Sequence, residues 1–396
     1  MDNKDVLVVA RPDQSLQIYK ALLESNFSFR YITFKVVPFW FKKFFRSKKL
    51  VPVAANASFV VLGTIKHLIM HKCKFKFVRK WSDRSILNEK ALKTIRKCNF
   101  KIVHFWPDNC NLPSSVYETD CIKPFVIADI HMPHPLIVFN DMLQVYAKYK
   151  IDAKQTSLFK KIEIQKDYVD NVTNILVPSS YVADTYHELY PDKNYYVVPY
   201  GITCNKNFIP RKRHHIKDFV YVGTISLEKG CDLLLEYFAN NPTLNIHLYG
   251  SILSEQNFIF ARYKNFDNIF FHGRVSKSEL QGHLNGYDVG IHLSRFDAYS
   301  LAVGELIGTG LPVLISDKTG NADDVLKYGF GIVTSLDDVS IQNNIRRIMD
   351  LSLYEEFQSN INAYIKSNSK DYGQMMLDFY LDVLENKHFK YKVLYN

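Results

Sequence analysis

Short apolar runs recur along the first half of the chain, at residues 6–10, 31–37, 101–105, 125–130, 175–178 and 195–199, with helix-length stretches between them. Runs of this length, rich in Val, Ile, Phe and Tyr, read as buried strands, and strands spaced by helical segments read as a parallel sheet. The second half repeats the style more cleanly at 219–223, 245–249, 269–272, 289–293, 312–315 and 331–334. The pattern therefore predicts an α/β fold of two Rossmann-like, doubly wound domains. Residues 203–217 are rich in Asn, Lys, Arg and His and poor in apolar side chains, as a linker would be. The expected division is a first domain over 1–204 and a second over 205–370. A last amphipathic stretch, 372–385, places Met375, Met376, Phe379, Tyr380 and Val383 on one face. It needs a groove, and residues 371–396 are expected to pack back on the first domain.

The length of 396 residues is too great for one ordinary core and suits two. No apolar run approaches the span of a bilayer, and the first nine residues carry charges where a signal peptide has its apolar region. The six cysteines form neither a Cys-x-x-Cys pair nor a zinc-like cluster, so reduced thiols and a cytoplasmic chain are expected. Charge is unevenly placed. The first hundred residues hold 21 Lys/Arg against 6 Asp/Glu, the remainder 29 against 34, which points to an anionic partner for the first quarter.

The densest chemical signal is segment 294–313: a polar turn after the run 289–293, a helix opening near Ser300, and a Gly-Leu-Pro exit into the next strand. A helix whose first N–H groups face the carboxyl end of a parallel sheet favours an anion, because unpaired donors and the dipole both attract it. Asp297 in the turn and Glu305 in the helix lie eight positions apart, and carboxylates so placed can accept hydrogen bonds from sugar hydroxyls. The bland alternative makes Asp297 a capping residue and Glu305 a solvated one, but Leu301, Ala302, Val303, Leu306 and Ile307 flank Glu305.

This segment resembles the Glu-x7-Glu signature of the family-4 retaining glycosyltransferases, with Asp297 in place of the first Glu. The resemblance implies the GT-B architecture, two Rossmann-like domains facing across a cleft. It gives Glu305 the ribose hydroxyls of a nucleotide-sugar donor, Asp297 the transferred sugar, and the turn Tyr299-Ser300-Leu301 the diphosphate. The stretch 219–230, ending Leu227-Glu228-Lys229-Gly230, resembles the family's diphosphate-gripping turn; Lys229 matches, while Thr224 stands where the family has Arg. Arg274, in a strand-Gly turn that resembles the family's base-cradling one, or Arg295 is expected to replace that arginine.

In the first half, residues 124–131 resemble the family strand ending in a histidine that faces the transferred sugar, which makes His131 the catalytic candidate, with His104 and His134 competing. The family's Gly-Gly loop after the first strand is replaced by Arg11-Pro12-Asp13. No Asp-x-Asp follows a strand, and Asp323-Asp324 lies in a helix-like segment, so a metal-independent reaction with no cofactor beyond the nucleotide-sugar co-substrate is expected.

Residues 39–49 and 71–81 interleave aromatics with cations, a composition suited to the headgroup region of an anionic membrane; core aromatics beside solvated lysines are the alternative. No nucleic-acid-binding motif accompanies the charge. The expectation is a retaining hexosyltransferase acting on a glycan or lipid-linked glycan in surface polysaccharide or glycoconjugate synthesis, peripheral on the inner face of the membrane. The alternatives are a non-catalytic accessory protein that binds glycan or protein, and an enzyme of the same architecture with a small soluble acceptor.

Overall fold

The computed structural model describes residues 2–10, 14–33, 36–38, 51–53, 57–59, 83–108, 110, 112, 124–202, 212–367, 371–385 and 390–395. The basic aromatic segments 39–49 and 71–81, Arg11 and residues 203–211 of the linker lie outside them.

The first half builds one parallel sheet in the order β5-β2-β1-β6-β7-β8-β9. Its strands are β1 (Asp2–Val9), β2 (Phe29–Thr33), β5 (Ala57–Phe59), β6 (Cys98–Phe105), β7 (Phe125–Asp129), β8 (Asn174–Val177) and β9 (Asn194–Val197). Two further strands, β3 (Val36–Pro38) and β4 (Val51–Val53), pair only with each other. The second half gives a six-stranded sheet in the order β12-β11-β10-β13-β14-β15, from β10 (Asp218–Val222), β11 (Asn245–Tyr249), β12 (Ile269–Gly273), β13 (Val289–His292), β14 (Val313–Ser316) and β15 (Gly331–Thr334). Every pairing in that sheet is parallel, and the order reverses between β10 and β13. In doubly wound sheets ligands bind outside the carboxyl ends at such a reversal.

Helices cover both sheets. In chain order they are α1 (Ser15–Glu24), α2 (Asp83–Ile95), α3 (Pro135–Lys148), α4 (Ser157–Val169), α5 (Ser180–His187), α6 (Cys231–Ala239), α7 (Asn257–Phe260), α8 (Lys277–Leu284), α9 (Leu301–Gly308), α10 (Ala322–Tyr328), α11 (Asp338–Ile348), α12 (Leu351–Lys366) and α13 (Tyr372–Leu384). Caps fix their starts: Ser276 accepts from the amide of Glu279 to open α8, and Asp337, Asp350 and Asp371 do the same for α11, α12 and α13.

The last helix, α13, crosses back to the first half. Tyr372, Met376, Phe379, Tyr380 and Val383 share a core with Ile18, Tyr19 and Leu22 of α1 and with Val6 and Val8 of β1. The approach is close at Gly373, where a Cβ would stand 2.4 Å from the carbonyl oxygen of Gln17. Conversely, α3 and α4 send Val138, Phe139, Met142, Tyr146 and Leu158 into the core of the second half, beside Phe219, Leu234 and Val289. The two halves thus meet through apolar packing as well as a cleft.

At the amino end of α3, His134 is 6% exposed and caps the helix, its Nδ1 accepting from the amide of Leu136 at 3.3 Å. Burial lowers its pKa to about 4. An unfolded-chain imidazole titrates near 6.5, so the unfolded state takes up the proton first. The contribution is complete above pH 6.5 and declines as the pH falls towards 4. The urea midpoint is expected to drop between pH 7 and pH 5, and to drop less in His134→Asn, which keeps a capping acceptor.

Candidate active site

At the reversal, the turn after β10 and the turn after β13 come together. Gly230 makes this possible: at φ 65° it opens α6, and a Cβ there would stand 1.8 Å from the carbonyl oxygen of Leu293. Lys229, one residue earlier, donates through Nζ to Asp297 Oδ2 at 2.6 Å. His292, at the end of β13, donates from Nε2 to the same oxygen at 3.3 Å and lies 2.9 Å from Ser294 Oγ. The ring of Tyr221 stacks on His292 at 5.4 Å and 8°. Burial alone would raise the Asp297 carboxyl, but the His292 hydrogen bond and the Lys229 charge outweigh it and hold the group well below the usual carboxylate range. Burial keeps His292 neutral by lowering its pKa. The result is an ionised carboxylate and an ammonium at the mouth of the sheet.

The segment around Asp297 is fastened from both sides. Its amide donates to the carbonyl of Lys318 at 3.0 Å and its carbonyl accepts from Gly320 at 2.9 Å. Ser179 of the first half donates to the carbonyl of Ala298 at 2.7 Å and also caps α5. Tyr299 is 5% exposed, donates to Asp324 at 2.6 Å and packs its ring on Tyr200 at 5.6 Å. Asp323 accepts from Ser180. Asp323 thus bonds across the joint between the halves, and Asp324 holds Tyr299, whose ring packs on Tyr200 of the first half.

Ser300 is 5% exposed; its Oγ accepts from the amide of Val303, and its own amide donates to Asn321 Oδ1 at 2.7 Å. The Ser300 amide is thus paired within the chain, while its hydroxyl keeps an O–H to donate. The open amides at the start of α9 are those of Leu301 and Ala302, and Leu301 is 49% exposed. Glu305, one turn further, accepts from Lys277 Nζ at 2.6 Å. Lys277 begins α8, so the pair spans the carboxyl ends of β12 and β13.

The two candidate arginines separate. Arg295 is engaged within the chain: its Nη1 and Nη2 donate to Asp232 Oδ1 and Oδ2 at 2.6 and 2.9 Å, and Nη1 also donates to the carbonyl of Leu227. With side-chain exposures of 12% and 1%, the pair is a buried fork that pins the β13 turn to α6. Arg274 follows Gly273 at the end of β12 and is exposed. Thr224, in the position of the family arginine, is also exposed, its carbonyl accepting from the Tyr221 hydroxyl at 2.7 Å.

Of the three candidate histidines in the first half, His104 is fully buried between Asp129 and Tyr380, and His134 is the α3 cap. His131 is the partly open one. Its Nδ1 lies 2.6 Å from the Tyr200 hydroxyl, its ring packs on Trp106 at 4.0 Å, and its Nε2 is buried without a hydrogen-bond partner. Tyr200 touches both His131 and Tyr299, so it links the first-half histidine to the Asp297 turn.

Sequence reading missed His292, Lys277 and Asn321. His292 had a signal: a histidine ending an otherwise apolar run, in β13, must find a buried partner.

Residues 205–368 match the family model described as Glycosyl transferases group 1. Across the full length the chain is similar in structure to sucrose-phosphate synthase from Thermosynechococcus elongatus, with a TM-score of 0.61 and 14% identity over 98% of this chain and 100% of that one. It is similar also to WaaG, a glycosyltransferase involved in lipopolysaccharide biosynthesis (TM-score 0.56, 11% identity, 94% and 98% covered). A third is Anabaena HepE in complex with UDP and glucose (TM-score 0.55, 12% identity, 97% and 100% covered). At these identities the likeness is one of fold, two doubly wound α/β domains. A sequence search of curated proteins found no match.

Proposed function

We propose, from the match of residues 205–368 to the glycosyl transferases group 1 family model, that the chain transfers a sugar from a nucleotide diphosphate-sugar, with retention and without a metal, to a hydroxyl of a glycan or lipid-linked glycan. The observation that carries the reading is the Lys229–Asp297 pair at the sheet reversal, with Glu305 on the helix that follows. In this reading Lys229 and the amides of Leu301 and Ala302 hold the diphosphate and stabilise the charge that develops on the leaving group. Arg274 adds a second cation from the end of β12. Glu305, once Lys277 yields, accepts from the ribose hydroxyls, and Asp297 accepts from the transferred sugar. His131 meets that sugar from the other wall. The leaving phosphate takes the proton of the acceptor hydroxyl as the new glycosidic bond forms.

WaaG acts in lipopolysaccharide biosynthesis and HepE holds UDP and glucose, and their names set the first ligands to try. The aromatic and basic composition of 39–49 and 71–81 supports peripheral contact with an anionic membrane, where a lipid-linked acceptor resides.

Calorimetric titration with a panel of UDP- and GDP-sugars, paired with a donor-hydrolysis screen, tests the reading. One donor is expected to bind, and Glu305→Ala to weaken it about tenfold, the loss of hydrogen bonds to a charged acceptor. Binding of none favours the accessory protein. Transfer to a free sugar phosphate, together with failure to float with anionic liposomes, favours a small soluble acceptor.

A further inference from the structure

Beneath His131 lies a set of buried groups that donor binding does not use. Asp129 ends β7 and is 2% exposed. Its Oδ2 accepts from His104 Nε2 at 3.0 Å and from the Tyr372 hydroxyl at 3.1 Å, and its Oδ1 is 3.6 Å from His131 Nδ1. His104 Nδ1 lies 2.6 Å from the Tyr380 hydroxyl. Tyr372 and Tyr380 are eight positions apart on α13, so they share a face of that helix, and both are fully buried. The end of the chain thereby reaches the strand that presents His131.

An ionised Asp129 orders the protons around it. Burial would raise the Asp129 carboxyl, yet the neighbouring His131 and the hydrogen bond from His104 keep it low and ionised. An ionised Asp129 accepts only, so His104 carries its proton on Nε2 and its Nδ1 accepts from the Tyr380 hydroxyl. The same carboxylate, 3.6 Å from His131 Nδ1 and so beyond hydrogen-bond reach, electrostatically favours a proton on Nδ1 given to the Tyr200 oxygen at 2.6 Å over one received from it. That leaves the lone pair on Nε2, the one ring atom of His131 that is buried and unpartnered. Most buried polar atoms are hydrogen-bonded to protein or water, and Trp106 Nε1, on the ring packed against His131, is unpartnered too, so a ligand hydroxyl or water at this spot would find polar atoms to meet.

We infer that Asp129, backed by Tyr372 and Tyr380 of the last helix, is a positioning residue that fixes His131 with Nε2 as a hydrogen-bond acceptor for a hydroxyl of the bound sugar. The inference rests on the glycosyl-transfer reading for its ligand and on the Asp129 carboxylate 3.6 Å away for the proton on Nδ1. It makes α13 part of the active site, and gives its two tyrosines a task beyond packing.

The test uses full-length protein labelled with 15N-histidine, the His131 ring signals being assigned by loss in His131→Gln. Long-range 1H–15N spectra at pH 7.5 are expected to show Nδ1 protonated and Nε2 bare. Asp129→Asn is expected to move the proton to Nε2, in part or wholly. Should that variant fail to fold, Tyr372→Phe/Tyr380→Phe, which removes two hydroxyls and keeps the rings, carries the test. The double variant is expected to lower kcat about tenfold with the donor KM within twofold, and to leave His131 in mixed tautomers. Nε2 protonated in the unaltered protein overturns the inference. So does a folded double variant with unchanged tautomer and kcat, which would make the tyrosines packing residues only. A tautomer that responds as expected while no donor supports transfer supports the positioning and overturns the transferase reading, so the two failures are distinct.

Discussion

Lys229→Met is expected to weaken binding of the donor nucleotide about a hundredfold, measured by calorimetry with the nucleoside diphosphate of the preferred donor. A single hydrogen bond to a charged group contributes about 1.5–3 kcal/mol, and the upper end of that range is already near a hundredfold. The local charges place the effect at that end. Lys229 Nζ is 2.6 Å from Asp297, whose side chain is 15% exposed. Removing the ammonium deletes a cation from the diphosphate position and also leaves a buried carboxylate facing it unneutralised. Lys229→Met/Asp297→Asn is therefore expected to regain part of the lost affinity, a coupling that independent sites would not show. The same pair predicts an acid response. The Asp297 carboxyl is depressed in the folded chain, so its stabilisation is present above the ordinary carboxylate pKa and is lost as the pH falls through the lowered one. Without Lys229 the depression shrinks and the acid-unfolding midpoint is expected to rise. Unchanged nucleotide affinity in Lys229→Met would remove the diphosphate from this turn.

Much of the fold was legible in the sequence because parallel sheets in two-layered α/β domains write themselves as apolar runs. Each of the twelve runs forms a strand of β1, β2 or β6 to β15. β3 takes the end of the run at 31–37, which reads as a single strand, while β4 and β5, which escaped, have three residues each, too short for any periodicity to stand out. Lys229, Asp297 and Glu305 could be singled out because a strand, a turn and a helix start are local events with local residue preferences. What those residues touch could not. The amide of Ser300 is used by Asn321, 21 positions on, and the carboxylate of Asp129 is met by a tyrosine 243 positions on. Such pairings depend on which helices pack together, and no local pattern encodes that. Arg295 illustrates the cost of reading charge without packing. In sequence it stands two residues before Asp297 in a polar turn; in the fold it points into α6.

That orientation makes Arg295→Met the substitution expected to damage stability most, while leaving the donor site chemically intact. Asp232 is 2% exposed and accepts both guanidinium nitrogens, with the Tyr149 hydroxyl donating to the same carboxylate at 3.1 Å. Taking one partner from a buried ion pair strands the other charge and costs about 3–5 kcal/mol, which for a domain of this size lowers the melting temperature by roughly ten degrees. Arg295→Met/Asp232→Asn removes the stranded charge and keeps an acceptor for Tyr149. It is expected to recover more than half of the loss, because the cost lies in the unpaired carboxylate more than in the missing bridge. Calorimetric melting of the two single variants and the double closes the cycle, and nucleotide titration of each folded variant separates stability from binding. Affinity should stay within about twofold of the unaltered chain, since a fork committed to Asp232 and the Leu227 carbonyl makes no contact that a donor could lose. A variant that melts normally and fails to bind nucleotide would instead put Arg295 on the diphosphate, and the ion pair would then have to open for the donor to enter.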